Sequence, residues 1–167
     1  TRMDQVLTKI LGFENIATEK EFTLYQTGEK GNGSSVIVEA SNVKYQAIQG
    51  YGGIHHVAFR IEDQEELYEW IDRLNHIHAR HSGYVDRFYF KSLYTRLYPY
   101  ILFEFATEGP GFIDDEESYE ELGETLALPP RFRKQSEIIK QQVRQFDTKR
   151  SHIKFEKEYH GFDNDEK

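Results

Sequence analysis

The chain has 167 residues, 29 Asp and Glu against 21 Lys and Arg for a formal net charge of −8, and no cysteine. That length supports one domain with a core of its own, and the lack of thiols excludes disulfides, zinc–thiolate sites and cysteine nucleophiles while fitting a reducing, cytoplasmic setting. The acidic balance argues against broad nucleic-acid or anionic-membrane binding, and no apolar run approaches the roughly 20 residues of a membrane-spanning helix.

Met3, Val6, Leu7, Ile10 and Leu11 recur at helical spacing, and Gly12 ends the run. Extended segments are expected over 14–20, 22–28 and 35–40, with the turn "GEKGNGSS" between the last two. A strand "IHHVAFRI" over 54–61 leads to Asp63, a helix N-cap with Glu66 as its capping-box partner. The helix that follows shows Leu67, Trp70, Ile71, Leu74 and Ile77 on one face and is expected to end near Ser82 and Gly83. Three strand-like runs come next, "YVDRFYF", "SLYTRLY" and "YILFEFAT". An acidic segment at 114–124, a basic amphipathic helix at 131–146 and a charged tail complete the chain, with Ile138, Ile139 and Val143 expected to dock on the sheet.

Residues 54–107 thus run strand–helix–strand–strand–strand. Residues 2–41 run the same way without the opening strand, which is a repeat of secondary structure rather than of sequence identity. The expected fold class is α+β, with paired βαβββ units. A partial unit spans 1–50, a complete unit 51–113, C-terminal helices 114–148 and a charged tail 149–167. The missing strand suggests a chain that starts partway through a larger protein.

Alternation along the strand places His56, Ala58 and Arg60 on one face and His55, Val57, Phe59 and Ile61 on the other. The apolar set marks the face toward the helices, so His56 points to the opposite, concave side. It reads either as a hydrogen-bonded strand histidine or as a metal ligand. Glu104 lies within "YPYILFEFATEGPGF", where a buried carboxylate costs several kcal/mol unless compensated. A cation would compensate it, as would Arg87 or Arg96 on a neighbouring strand. A histidine on a unit's first strand and a glutamate on its last give two of the three ligands of a 2-His-1-carboxylate site, which leaves open positions on iron(II). "HIHARH", with His76, His78 and His81, reads as solvated residues around a helix end.

The ordered motifs "GGIHHVAFRIED", "DRFYFKSLY", "LFEFATEGPGF" and "LPPRF" resemble the C-terminal half of ring-cleaving dioxygenases of the hydroquinone type. These belong to the vicinal-oxygen-chelate superfamily with glyoxalases and bleomycin-resistance proteins, and the resemblance covers about residues 2–148. It implies a glyoxalase-like fold and an iron(II)-dependent extradiol-type cleavage of hydroquinone-like aromatics with O2, with Mn, Ni or Zn as alternative metals. It implies metal ligands at His56 and Glu104 and catalytic roles for His55, Arg87 and Tyr94. In that family the remaining histidine ligand lies in the N-terminal half, so a third protein ligand is expected from outside this chain, supplied by the missing half or another chain, with a homo-oligomer as one option. His152 and His160 in the tail are remote candidates. A glyoxalase-like isomerase or lyase and a non-catalytic, bleomycin-resistance-like binding module are the alternative functions.

Overall fold

A computed structural model describes residues 1–40, 48–113, 118–145 and 147–149. Two compact units divide the chain, the first comprising Thr1–Asp86 with Lys91–Glu108 and the second Arg87–Phe90 with the residues from Gly109 onward.

The first unit opens with α1 (Arg2–Gln5), capped by the Thr1 side chain, which accepts from the backbone N–H of Asp4. A π-helical turn, Val6–Ile10, continues it, marked by the Leu11 N–H donating to the Val6 carbonyl. Within it the Thr8 hydroxyl donates back to the Asp4 carbonyl, a local bond of the kind that loosens regular α geometry. An antiparallel meander follows, β1 (Glu14–Glu19), β2 (Phe22–Gln26) and β3 (Ser35–Glu39), in the order β1-β2-β3. Leu7, Phe13 and Tyr25 form its buried cluster, with Val36 and Val38 packed against them.

The second half of this unit carries β4 (Val57–Ile61), α2 (Gln64–His76), β5 (Val85–Asp86), β6 (Lys91–Tyr98) and β7 (Ile101–Thr107). The sheet order is β4-β7-β6-β5, with β4 parallel to β7 and the other pairs antiparallel. The capping box forms at α2, where Asp63 accepts from the Glu66 N–H and the Glu66 carboxylate accepts from the Glu62 N–H. Leu67 and Leu74 of α2 bury against Leu93, Phe103 and Phe105 of the sheet, with the Trp70 ring stacked on Phe105 at 4.3 Å. Fully burying such side chains contributes roughly 1.5–3 kcal/mol each.

Several expected boundaries move. The helix ends at His76 rather than near Ser82, because the Ala79 N–H returns to the Leu74 carbonyl and His78 takes a left-handed conformation (φ 55°). Of "YVDRFYF" only Val85–Asp86 is strand. Arg87–Phe90 forms a turn closed by the Arg87 N–H on the Phe90 carbonyl, with Phe88 at φ 73°. In the second unit Tyr89 stacks on Phe112 at 4.7 Å. The expected helix over 131–146 is two short pieces, α3 (Pro130–Arg133) and α4 (Ser136–Gln142), and Ile138 and Val143 are exposed rather than docked. Part of the acidic segment (114–117) and nearly all the tail, with His152 and His160, lie outside the described residues. Among the described residues no helix is long and apolar enough to cross a membrane.

Candidate functional site

One face of the β4-β7-β6-β5 sheet packs on α2, and the other collects the candidate residues. Register sets Glu104 of β7 beside Ala58 of β4 and directly across from Tyr94 of β6, so these three share the face away from the helix. Glu104 is buried, its side chain 4% exposed, and its Oε2 lies 2.7 Å from Nε2 of His56, whose side chain is 35% exposed. Its other oxygen, Oε1, has no hydrogen-bond partner among the described residues, and neither does the hydroxyl of Ser92, fully buried on the same face of β6. A buried acceptor left unmade costs about 1–3 kcal/mol, more when charged, so the half-satisfied carboxylate is a feature that stability alone does not explain.

His55 and His56 do not alternate. The strand begins at Val57, one residue after His56, instead of at Ile54. Gly53 closes a turn on the Gly50 carbonyl, with Gly52 at φ 79°, and the Gln49 side chain donates to the carbonyl of His55. That carbonyl is therefore engaged outside any strand ladder, and the two histidines lie on irregular backbone, free of the period-2 rule. Their Nδ1 atoms are 2.8 Å apart and the rings stand perpendicular. Gln49 is held in turn by Arg96, whose Nη2 donates to its Oε1 at 3.2 Å. Arg96 thus anchors the histidine turn, and the carboxylate's partner is His56 rather than an arginine.

The Tyr94 ring stands edge-on to His56, 6.4 Å between centroids. Arg87 falls in the second unit, so the first unit brings together His55, His56, Tyr94 and Glu104 but not Arg87. Residues not singled out from sequence are Gln49 and Ser92, and Arg96, expected as a partner of Glu104, holds Gln49 instead. Neither Gln49 nor Ser92 carried a sequence signal, since both act through hydrogen bonding and burial set by the fold. Beside His56 a cavity of about 340 Å³ opens, lined by Ile48, Ile54, Ile101 and Leu102. Away from this site, His81 is bonded to Asn75 and to the Gly83 N–H, and among the described residues no three His, Cys, Asp or Glu side chains converge as a metal cluster.

No family model matches the chain. It is 43% identical over 130 residues to "Putative ring-cleaving dioxygenase MhqA" of Bacillus subtilis (strain 168), covering 75% of this chain and 41% of that protein. It is 36% identical over 135 residues to MhqE of the same organism and the same description, covering 81% and 43%. The chain therefore spans less than half the length of these curated relatives. Among solved structures, a Bacillus subtilis "putative dioxygenase" superposes with a TM-score of 0.77 at 29% identity, over 89% of this chain and 47% of that one. A glyoxylase/bleomycin resistance protein/dioxygenase domain from Frankia sp. EAN1pec superposes at 0.53 with 16% identity, over 65% and 83%, a likeness of fold alone.

Proposed function

We propose that this chain, a homologue of proteins named as ring-cleaving dioxygenases and a bearer of the vicinal-oxygen-chelate fold, is the metal-bearing part of an iron(II)-dependent dioxygenase for hydroquinone-like aromatics. The observation that carries the reading is the buried Glu104 with one oxygen on His56 and the other without a partner. An imidazole nitrogen and a carboxylate at that spacing suit a divalent first-row metal, and the orphaned Oε1 is an acceptor that a cation would satisfy. His56 Nε2 and the Glu104 carboxylate would hold the metal, with a third protein ligand supplied from outside this chain. Iron(II), when bound, supplies the redox chemistry by which dioxygen enters an electron-rich ring.

The remaining residues bind, orient and move protons. His56 faces the Glu104 carboxylate through Nε2 and His55 Nδ1 through its own Nδ1. With Nε2 given to a metal, the ring carries its proton on Nδ1 and donates it to His55 Nδ1, which fixes the tautomer of the ligand. His55 is then the group placed to pass a proton to solvent. The Tyr94 hydroxyl is assigned to a phenolic oxygen of the substrate. Arg87 keeps, on sequence grounds, the role of stabilising negative charge there. The apolar side chains of Ile54, Ile101 and Leu102 beside His56 suit the face of a flat aromatic ring.

The test loads the complete longer protein with iron(II) without oxygen, then adds methylhydroquinone and air. Oxygen uptake with ring opening is expected, and none with Glu104→Ala. No uptake by the native protein, with metal content indifferent to Glu104→Ala, contradicts the reading. Stoichiometric nickel or zinc without oxygen uptake moves it to a glyoxalase-like isomerase or lyase.

A further inference from the structure

Glu104 and Tyr94 sit in paired strands, whereas His55 and His56 lie ahead of β4, outside its pairing with β7. Packing does little to fix that stretch, since Ile48 and Ile54 are 84% and 85% exposed although both are large and apolar. The turn instead closes on itself. The Gly53 N–H meets the Gly50 carbonyl, and a Cβ at Gly53 would stand only 3.2 Å from the Ile48 carbonyl oxygen, so the backbone approaches itself closely there. A single amide, that of Gln49, then joins the closed turn both to the sheet and to the histidines.

The sheet decides which way that amide points. β6 and β7 change register between Thr95 and Tyr98, a bulge that takes Arg96 out of the regular pairing, and bulges re-aim the side chains they carry. A guanidinium has donors and no acceptor, so Arg96 meets the oxygen end of the Gln49 amide, Nη2 to Oε1 at 3.2 Å. The amino end, Nε2, is thereby turned along the chain to donate to the carbonyl of His55. Contacts continue from His55 to His56 through the two Nδ1 atoms at 2.8 Å, and from His56 Nε2 to Glu104 at 2.7 Å. Arg96 and Glu104 lie on neighbouring strands, so the path leaves the sheet at β6 and returns to it at β7.

We infer that Gln49 is a positioning residue for the histidine pair. Its amide, oriented by Arg96, holds the His55 peptide so that His56 Nε2 stands at the Glu104 carboxylate, and this sets how tightly the two side chains take a divalent cation. The effect on cation binding rests on the metal reading of the site; the orientation of the two histidines does not. Groups that orient a metal ligand without touching the metal typically cost 10–100-fold in affinity when removed.

Gln49→Glu separates positioning from tethering. The carboxylate keeps a charged bond to Arg96, and so keeps the turn on the sheet, but it has no hydrogen to give the His55 carbonyl. Manganese(II) affinity of the chain, followed by water-proton relaxation, is expected to fall at least about tenfold in Gln49→Glu, with the melting temperature little changed. Arg96→Met, which frees the amide to turn over, should lose affinity to the same degree, and Arg96→Lys, which still donates, should recover most of it. A metal-free readout runs beside these: in protein with isotope-labelled histidine, a ring proton shared by the two Nδ1 atoms should exchange slowly with water, and this signal should vanish in Gln49→Glu and Arg96→Met. Affinity in Gln49→Glu equal to that of the unmodified chain overturns the inference, as does a shared proton that survives in both variants. If the unmodified chain takes no manganese at these histidines the metal reading falls, and the ring proton alone then decides: its loss in the variants supports the positioning role and its persistence overturns it.

Discussion

The β1–β3 sheet and the β4–β7 sheet follow one recipe, a capped helix and then a meander, yet each treats its buried polar group differently. In the first sheet the buried Tyr25 turns toward the helix and its hydroxyl donates to the Asp4 carboxylate at 3.0 Å. Burial and that bond together push its phenol up from the usual value. In the second sheet Glu104 turns to the opposite face, meets His56 through one oxygen and leaves the other without a partner. A satisfied group on the core side adds stability; a half-satisfied charge on the open side costs it. The second pattern is the one expected where structure is held ready for a ligand.

That contrast can be broken or sharpened by substitution. The largest expected effect is on the core both helices serve. Phe105→Ala removes the ring that packs on Trp70 and Phe59, and urea unfolding should register a loss of about 3–5 kcal/mol. Next, Tyr25→Phe should cost about 1.5–3 kcal/mol, the worth of a hydrogen bond to a charged group. Glu104→Leu is expected to be neutral or stabilising in metal-free protein, because it removes a buried carboxyl with one oxygen unpartnered while the half-exposed His56 keeps access to water. If Glu104→Leu instead destabilises as much as Tyr25→Phe, the carboxylate is structural and the contrast between the sheets fails. Smaller again, the equivalent caps should prove equivalent: Asp63→Ala and Thr1→Ala should each cost about 1 kcal/mol by the same measurement.

The smallest effect is alkaline. Tyr25 stays protonated in the fold above the pH at which it ionises in the unfolded chain. Lys91, raised chiefly by its hydrogen bond to Asp86, keeps its proton longer in the fold as well. Both groups bind more protons folded than unfolded as pH climbs past about 10, so the stability they contribute is whole below that range and is lost above it. Tyr25→Phe should flatten the loss in a series of unfolding curves. An unchanged slope would mean that Lys91 or other groups carry it.

What could be read beforehand was whatever has a period. The helical spacing of Leu67, Trp70, Ile71 and Leu74 marked α2, and the alternation around Glu104 marked a carboxylate inside an apolar strand, the strongest pointer to the site. Hydrogen bonds across the fold have no such signature. Gln49 engaging the His55 carbonyl delays the strand to Val57, and this brings His55 to His56 against the alternation rule. The break between α3 and α4 also went unseen, since the periodicity of "RFRKQSEIIKQQVR" runs straight through it. The capping box at Asp63 and a repeat of elements were legible.

The central claim is that His56 and Glu104 together face a metal ion, and manganese(II), a paramagnetic stand-in for iron(II), tests it on this chain directly. Added in small steps to the protein with isotope-labelled histidine, it should broaden the ring signals of His56 first and those of His55 next. In Glu104→Ala that selectivity should disappear at the same metal concentration. Broadening centred on His76, His78 or His81, or broadening of His56 that is the same with and without the Glu104 carboxylate, would contradict the account.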